Sequence, residues 1–324
     1  MTGADAVRDE AAFSRYFERH RRELQVHCYR LTGSLHDAED LTQETFLRAW
    51  RSRNSFRGED TLRAWLYRIA TNTCLDALRT KSRPALEPPP EATADFEVPW
   101  LQPYPDELLE GLAAPDADPE SAVVSKETIE LAFIAAIQQL TAGQRAVLIL
   151  RDVLGWRAKD TASLLDTSVA SVNSSLQRAR AGLQEHLPQR RLEWESGADT
   201  TRRERELLDR YIDATEKADP QAMLQTLHAD LRFAMPPEPG LFVGRDEIVK
   251  YWAPGFDQKG FGRMTGLVTR ANMQPVVACY RELPGESEFR PLALDVIRIE
   301  NGVIAEITTF PAELFPAFGL PETL

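Results

Sequence analysis

Residues 84–120 hold ten Asp or Glu, nine prolines and no Lys or Arg. Such a segment cannot bury enough apolar surface to offset the entropy of ordering it, and proline interrupts both helices and inner strands. The chain must therefore fold as separate bodies on either side, with 84–123 expected as a linker or mobile arm. One island departs from this pattern: Val98-Pro99-Trp100-Leu101 and Pro103-Tyr104 are apolar, and an exposed Trp in a linker is expected to dock somewhere. A second boundary falls at 191–205, near Pro188, Gly197 and a charged run. The modules so delimited are 1–83, 124–190 and 206–324, consistent with two or three domains in 324 residues.

Charge is sorted along the chain. The formal net charge is −12, yet 48–83 carries nine basic against three acidic residues and 121–191 nine against six. Two basic stretches flank the acidic one. On an acidic protein they mark a polyanion site or a solvated helix face, and charge alone does not choose between these. Met1 to Glu10 is polar and acidic, unlike a secretory leader, and no apolar run approaches the ~20 residues of a membrane span. The cysteines Cys28, Cys74 and Cys279 are too dispersed for a disulfide framework or a zinc pair and read as small buried hydrophobes. A cytoplasmic protein without metal, cofactor or membrane partner is expected.

The first module reads as all-helical. Phe13, Phe17, Leu24, Cys28 and Leu31 form one stripe, broken at Gly33-Ser34; Leu41, Thr45, Ala49 and Trp50 form a second. Asp37, Glu39, Asp40 and Glu44 lie toward the positive N-terminus of that second helix. After a loop at Phe56-Arg57-Gly58-Glu59, a third helix aligns Trp65, Leu66, Ile69, Ala70 and Thr73 on an apolar stripe, Trp65 as core, and Arg68, Asn72, Asp76 and Arg79 on a polar one.

The second module is also helical. Thr141-Ala142-Gly143-Gln144 matches a capping box, and Ala158 to Leu165 a short helix. Asp166-Thr167-Ser168 reads as a turn and cap, followed by a stripe of Val172, Leu176, Ala179 and Leu183. A short helix, a tight turn and a longer helix make a helix-turn-helix pattern. Its second helix would present Asn173, Ser174, Gln177, Arg178 and Arg180, donors suited to phosphates and base edges.

The third module begins helical, through Leu207-Leu208, Tyr211-Ile212 and again Met223, Leu224 and Leu227, then changes period. Runs at 266–269, 275–280, 292–299 and 303–310 read as strands, the last two joined by Glu300-Asn301-Gly302, a strong hairpin signal. The fold class is thus multidomain: two all-α modules and a C-terminal α+β module.

The run Asp37 to Trp50 (DAEDLTQETFLRAW), with Phe56-Arg57-Gly58 and Ala64 to Asn72, closely resembles region 2 of the extracytoplasmic-function bacterial sigma factors, and Leu140 to Leu187 resembles their region 4. The C-terminal module is similar, more loosely, to the NTF2/SnoaL-like cone through Tyr211-Ile212-Asp213-Ala214, Leu231 to Pro237, Gly244-Arg245-Asp246 and the terminal hairpin. The resemblance implies binding of core RNA polymerase, recognition of a two-part promoter and its opening. It implies polymerase contact by Asp37, Asp40, Leu41, Gln43, Glu44 and Phe46, with Leu41 equally open to a packing role. The −10 element would fall to Phe56, Arg57, Arg68, Asn72 and Arg79, with Lys81 and Arg83 as further cations. Capture of an extruded base takes aromatic or apolar walls and hydrogen bonds to its edge, which the resemblance assigns to Phe56 and Asn72. The −35 element would fall to Asn173, Ser174, Gln177, Arg178 and Arg180. Where the family often carries cations, Asn173, Ser174 and Ser175 stand, so the −35 contact is expected to rest on Arg178, Arg180 and the helix N-terminus, with weak affinity for free DNA.

The cone also hosts isomerases, which need a carboxylate base and an oxyanion pair. Tyr211 and Asp295 match the pair, but Met235 occupies the base position, and a thioether takes no proton. A hydrogen-bonded core pair is the plainer reading of Tyr211 and Asp295. Tyr211, Met235, Trp252 and Asp295 delimit a cone pocket, for a small apolar ligand or, as a regulator, in place of one an intramolecular contact. The alternatives to a sigma factor are an enzyme fused to a DNA-binding module, or a repressor with a ligand-sensing cone.

Overall fold

The computed structural model describes residues 9–56, 61–80, 87–95, 98–110, 128–187 and 198–324. They divide into two compact units: one holds the chain up to Pro84 together with Leu108–Leu187, the other Ala85–Glu107 together with Pro188–Leu324.

The helical unit opens with α1 (Glu10–Thr32), α2 (Leu35–Ser52) and α3 (Leu62–Thr80). Asp9 caps α1, its carboxylate accepting from Ala12 N at 2.9 Å. Gly33 ends α1 in the left-handed conformation (φ 70°) and donates its N–H to Tyr29 O at 2.7 Å, a turn that glycine adopts without a Cβ penalty. Ser34 then caps α2, so a single dipeptide stops one helix and starts the next. Phe13, Phe17, Leu24, Cys28 and Leu31 are all buried, as their spacing predicts, and Trp65 is buried with them.

The rest of this unit is α4 (Leu131–Gln138), α5 (Ala142–Leu148, extended by a π turn over Ile149–Val153), α6 (Ala158–Leu164) and α7 (Val169–His186). The predicted capping box is present: Gln144 N donates to Thr141 Oγ1 at 3.3 Å and Thr141 N to Gln144 Oε1 at 3.1 Å. Ser168 caps α7 as expected, accepting from Ser171 N at 3.0 Å. The two helical modules join through Arg145. Its guanidinium is buried and donates to Leu31 O at the end of α1, and to Ile137 O (2.9 Å), Gln138 O (2.9 Å) and Leu140 O (3.1 Å) at the end of α4. A cation is well placed there, because helix C-termini carry partial negative charge and unpaired carbonyls.

The sheet unit has α8 (Ala198–Glu216), α9 (Pro220–Thr226), α10 (Arg245–Tyr251) and seven strands: β1 (Ala94–Asp95), β2 (Leu227–Ala234), β3 (Gly240–Val243), β4 (Arg263–Ala271), β5 (Gln274–Glu282), β6 (Arg290–Glu300) and β7 (Val303–Pro311). Their order is β1-β3-β2-β7-β6-β5-β4, with β2 and β7 parallel and the other pairs antiparallel. Leu207, Tyr211, Phe233, Val277, Ile297 and Ile307 lie in its core. The Glu300-Asn301-Gly302 hairpin forms, with positive φ at Asn301 (50°) and Gly302 (77°).

Three expectations need correction. Helix α8 starts at Ala198, inside the expected 191–205 linker. Leu227, expected on a helix, opens strand β2. The 84–123 linker is largely structured where it is described: Val98, Leu101 and Tyr104 are buried, and the backbone pairs with both ends of the sheet. Thr93 N donates to Leu241 O at 2.8 Å beside the β1–β3 pair. At the β4–β5 turn Tyr104 N donates to Asn272 Oδ1 (2.7 Å), Asn272 N to Tyr104 O (2.9 Å) and Met273 N to Asp106 Oδ1 (2.8 Å). Composition foretold docking of the apolar island but not these pairings, because they run through backbone groups of β1, β3 and the β4–β5 turn and through side chains distant in sequence.

Candidate polymerase and nucleic-acid interfaces

Helix α2 turns Ala38, Thr42, Thr45 and Ala49 inward, which leaves Asp40 and Gln43 exposed and Asp37, Leu41 and Glu44 half-buried. Phe46, expected at the polymerase contact, is half-buried. Its ring lies 5.6 Å from Phe13 and 4.9 Å from Phe17, so it packs the module together. The large apolar side chain that α2 leaves most exposed is Leu47, 43% exposed and absent from the expected set. Its spacing of seven from Asp40 and four from Gln43 places all three on one face and was legible in the sequence. Glu44 accepts from Arg48 at 2.8 Å; Arg48 also reaches Asp76 on α3 (3.0 Å), which pairs with Arg79 (3.1 Å). These pairs are exposed and contribute little to stability, but they set the rotamers of the α2–α3 surface.

Phe56 is half-buried, its ring 5.5 Å from Trp65. Arg57 lies outside the described residues, as do Lys81 and Arg83. On α3, Asn72 and Arg79 are exposed and Arg68 half-buried along the predicted polar face. Near the start of α3 the exposed Arg63 grips Glu23 of α1 with Nε at 3.0 Å and Nη2 at 2.7 Å from Oε2. Burial pushes the Glu23 carboxyl up, but the bonds from His20 and Arg63 outweigh it and hold it at about 2.

Helix α7 buries Val172, Leu176 and Ala179 and exposes Asn173, Ser174, Gln177, Arg178 and Arg180. The two arginines differ in commitment. Arg180 forms a bidentate pair with Asp152, both bonds 2.8 Å, whereas Arg178 makes one bond of 3.3 Å to Ser175 Oγ. A groove along this helix is lined by Arg151, Asn173, Gln177, Arg180 and Gln184.

In the sheet unit Tyr211, Met235, Trp252 and Asp295 gather around one core cluster. Asp295 is buried and its oxygens accept from Tyr211 Oη (3.1 Å), Cys279 Sγ (3.4 Å) and Thr309 Oγ1 (2.6 Å). Burial pushes its carboxyl up and the three bonds oppose it, leaving a net rise. Cys279 and Thr309 were not expected. Counting outward from the hairpin in even register sets Asp295 opposite Thr308; a bulge between Arg298 and Ile299 moves its partner to Thr309.

Comparison with known proteins places three families along the chain: Sigma-70 region 2 over residues 16–84, Sigma-70 region 4 over 130–183 and a SnoaL-like domain over 208–307. The chain is 41% identical over 327 aligned residues to the ECF RNA polymerase sigma factor SigG of Mycobacterium tuberculosis (strain ATCC 25618 / H37Rv), covering 96% of this chain and 85% of that protein. It is 27% identical to ECF RNA polymerase sigma factor SigJ of the same strain, covering 90% and 89% respectively. The crystal structure of Mycobacterium tuberculosis extracytoplasmic function sigma factor SigJ shares the fold, with a TM-score of 0.58, 22% identity and coverage of 95% of this chain and 99% of that one.

Proposed function

The chain belongs to the ECF family of RNA polymerase sigma factors, and we propose that its helical modules divide promoter initiation between the surfaces described above. A sigma factor binds core RNA polymerase, recognises −35 and −10 promoter elements, melts the latter and starts transcription. In this chain α2 meets polymerase through Asp37, Asp40, Leu41, Gln43, Glu44 and Leu47. Phe56, Asn72, Arg68 and Arg79 take the opened −10 strand, with Arg57 beside them. Helix α7 reads the −35 element with Asn173, Ser174 and Gln177, while Arg178 supplies the phosphate contact and Arg180 holds α7 to Asp152.

The observation that carries this reading is the division of α7: its apolar stripe is buried and its amides and Arg178 are exposed. Such a helix fits a major groove with little rearrangement. Purified chain is expected to bind core RNA polymerase, with Leu47→Asp weakening association about tenfold, roughly 1.4 kcal/mol. Arg178→Ala is expected to lower promoter affinity and the salt slope by about one phosphate contact. Undiminished binding in both variants would contradict the assignment.

The third module acts as an intramolecular regulator rather than an enzyme. Met235 offers no base, and both oxygens of Asp295 are occupied by Tyr211, Cys279 and Thr309, so the cluster works as core. Its means of regulation is the strap 87–107, a stretch of the same chain segment that joins the two helical modules.

A further inference from the structure

Val169 is the first residue of α7 and belongs by spacing to the stripe continued by Val172, Leu176 and Ala179. Those three are buried, whereas Val169 is 43% exposed. Ser168, Ala170 and Ser171 around it are exposed too, so the first turn of α7 projects beyond the side chains that cover the later turns. Val169 therefore gives up the burial that its stripe gives the others, at the leading end of the second helix of a helix-turn-helix. Recognition helices of this kind contact base edges with their N-terminal residues.

The chemistry of that end is unusual. No charged side chain occurs from Thr167 to Gln177. No side-chain cation neutralises phosphate there; the helix N-terminus and the serine hydroxyls can still position the backbone, but an apolar side chain such as Val169 can only meet base edges. On one exposed face Val169, Asn173 and Gln177 follow at intervals of four, flanked by Ala170 and Ser174. An amide can pair bidentately with adenine, and the one apolar feature of the major-groove edges is the thymine 5-methyl group.

We propose that Val169 sets −35 specificity by packing on the 5-methyl group of a thymine. This rests on α7 being the −35 reader. One turn of helix separates Val169 from Asn173 by about 6 Å; with base pairs about 3.4 Å apart along the axis, the methyl contact falls one or two base pairs from the base that Asn173 reads.

The test uses full-length chain with core RNA polymerase and a promoter selected from a library randomised in the −35 element. Each thymine of that element, on either strand, is replaced singly by deoxyuridine, which removes only the methyl group. One replacement is expected to weaken binding of the unaltered chain about fourfold, the effect of exposing one methyl group. Val169→Ser and Val169→Ala should bind the thymine promoter more weakly by a similar factor and be indifferent to that deoxyuridine. Melting temperatures equal to that of the unaltered chain would show the variants folded; a variant that melts lower is judged only by its thymine-to-deoxyuridine ratio. Sensitivity to base changes combined with indifference to every deoxyuridine, or a deoxyuridine effect undiminished in the variants, would overturn the role of Val169 alone. Indifference to every −35 base change would overturn the assignment of α7 and this inference together.

Discussion

His27 shows how one buried side chain makes the helical unit sensitive to acid. Its Nε2 lies 2.8 Å from Thr71 Oγ1, and the Thr71 hydroxyl donates to Tyr67 O at 2.8 Å. The hydroxyl must then accept from His27, which places the ring proton on Nε2. Nδ1 is buried and, among the described residues, has no hydrogen-bond partner. Burial, reinforced by the charge of Arg30, lowers the His27 pKa from 6.5 to about 3. The native state holds this ring neutral while an unfolded chain would protonate it near 6.5. Its contribution is therefore complete above pH 6.5 and is lost as pH falls toward about 3, at up to ~1.4 kcal/mol per pH unit. Urea midpoints between pH 7 and pH 5 should fall in the unaltered chain and much less in His27→Gln; equal slopes would contradict this. Nothing in the sequence around His27 announces it. Its role depends on Thr71, 44 residues away, and only the α1–α3 packing brings the two together. The same holds for Asp295: the sequence suggested Tyr211 as its partner, but a bulge decided which threonine joined them.

At the scale of elements, most of the helical pattern could be read in advance because its signals are local. The α1 stripe, the Thr141–Gln144 box and the Ser168 cap each involve neighbours in the chain and occur as expected, whereas the α2 stripe is rotated, with Ala38 and Thr42 buried and Leu41 and Trp50 only half-buried. The strands from Arg263 onward were found for the same reason, through turns between β-prone runs. What escaped were pairings between distant segments: β1 against β3, Pro105 against Ala271, and Arg145 against the ends of two helices. Arg145→Met should demonstrate the last. It leaves several buried carbonyls without a donor, and a loss of roughly 3 kcal/mol in the unfolding free energy of the helical unit is expected from urea melts. A loss below ~1 kcal/mol would mean that Arg145 is not the joint it is described to be.

For the whole molecule, the proposed regulation depends on a single covalent fact: the segment that tethers one helical module to the other also forms part of the sheet unit. The apolar island at Val98, Leu101 and Tyr104 holds it there, together with Asp106, whose carboxylate accepts from Met273 N and Arg270 Nε. Docking consumes tether, so release of the strap should change how far the two modules can separate on DNA. Deleting residues 200–324 removes the dock, and promoter output is expected to change; output identical to that of the full chain would refute regulation by this module. Tyr104→Ala with Asp106→Ala should move output in the same direction, with faster proteolysis within 87–107.

The central claim is that this chain directs RNA polymerase to promoters. Run-off transcription with purified core RNA polymerase on a genomic promoter library tests it most directly. The account predicts transcripts that start at discrete sites only when the chain is present, from promoters sharing −35 and −10 elements. Core polymerase that neither associates with the chain nor gains any discrete start site from it would contradict the account.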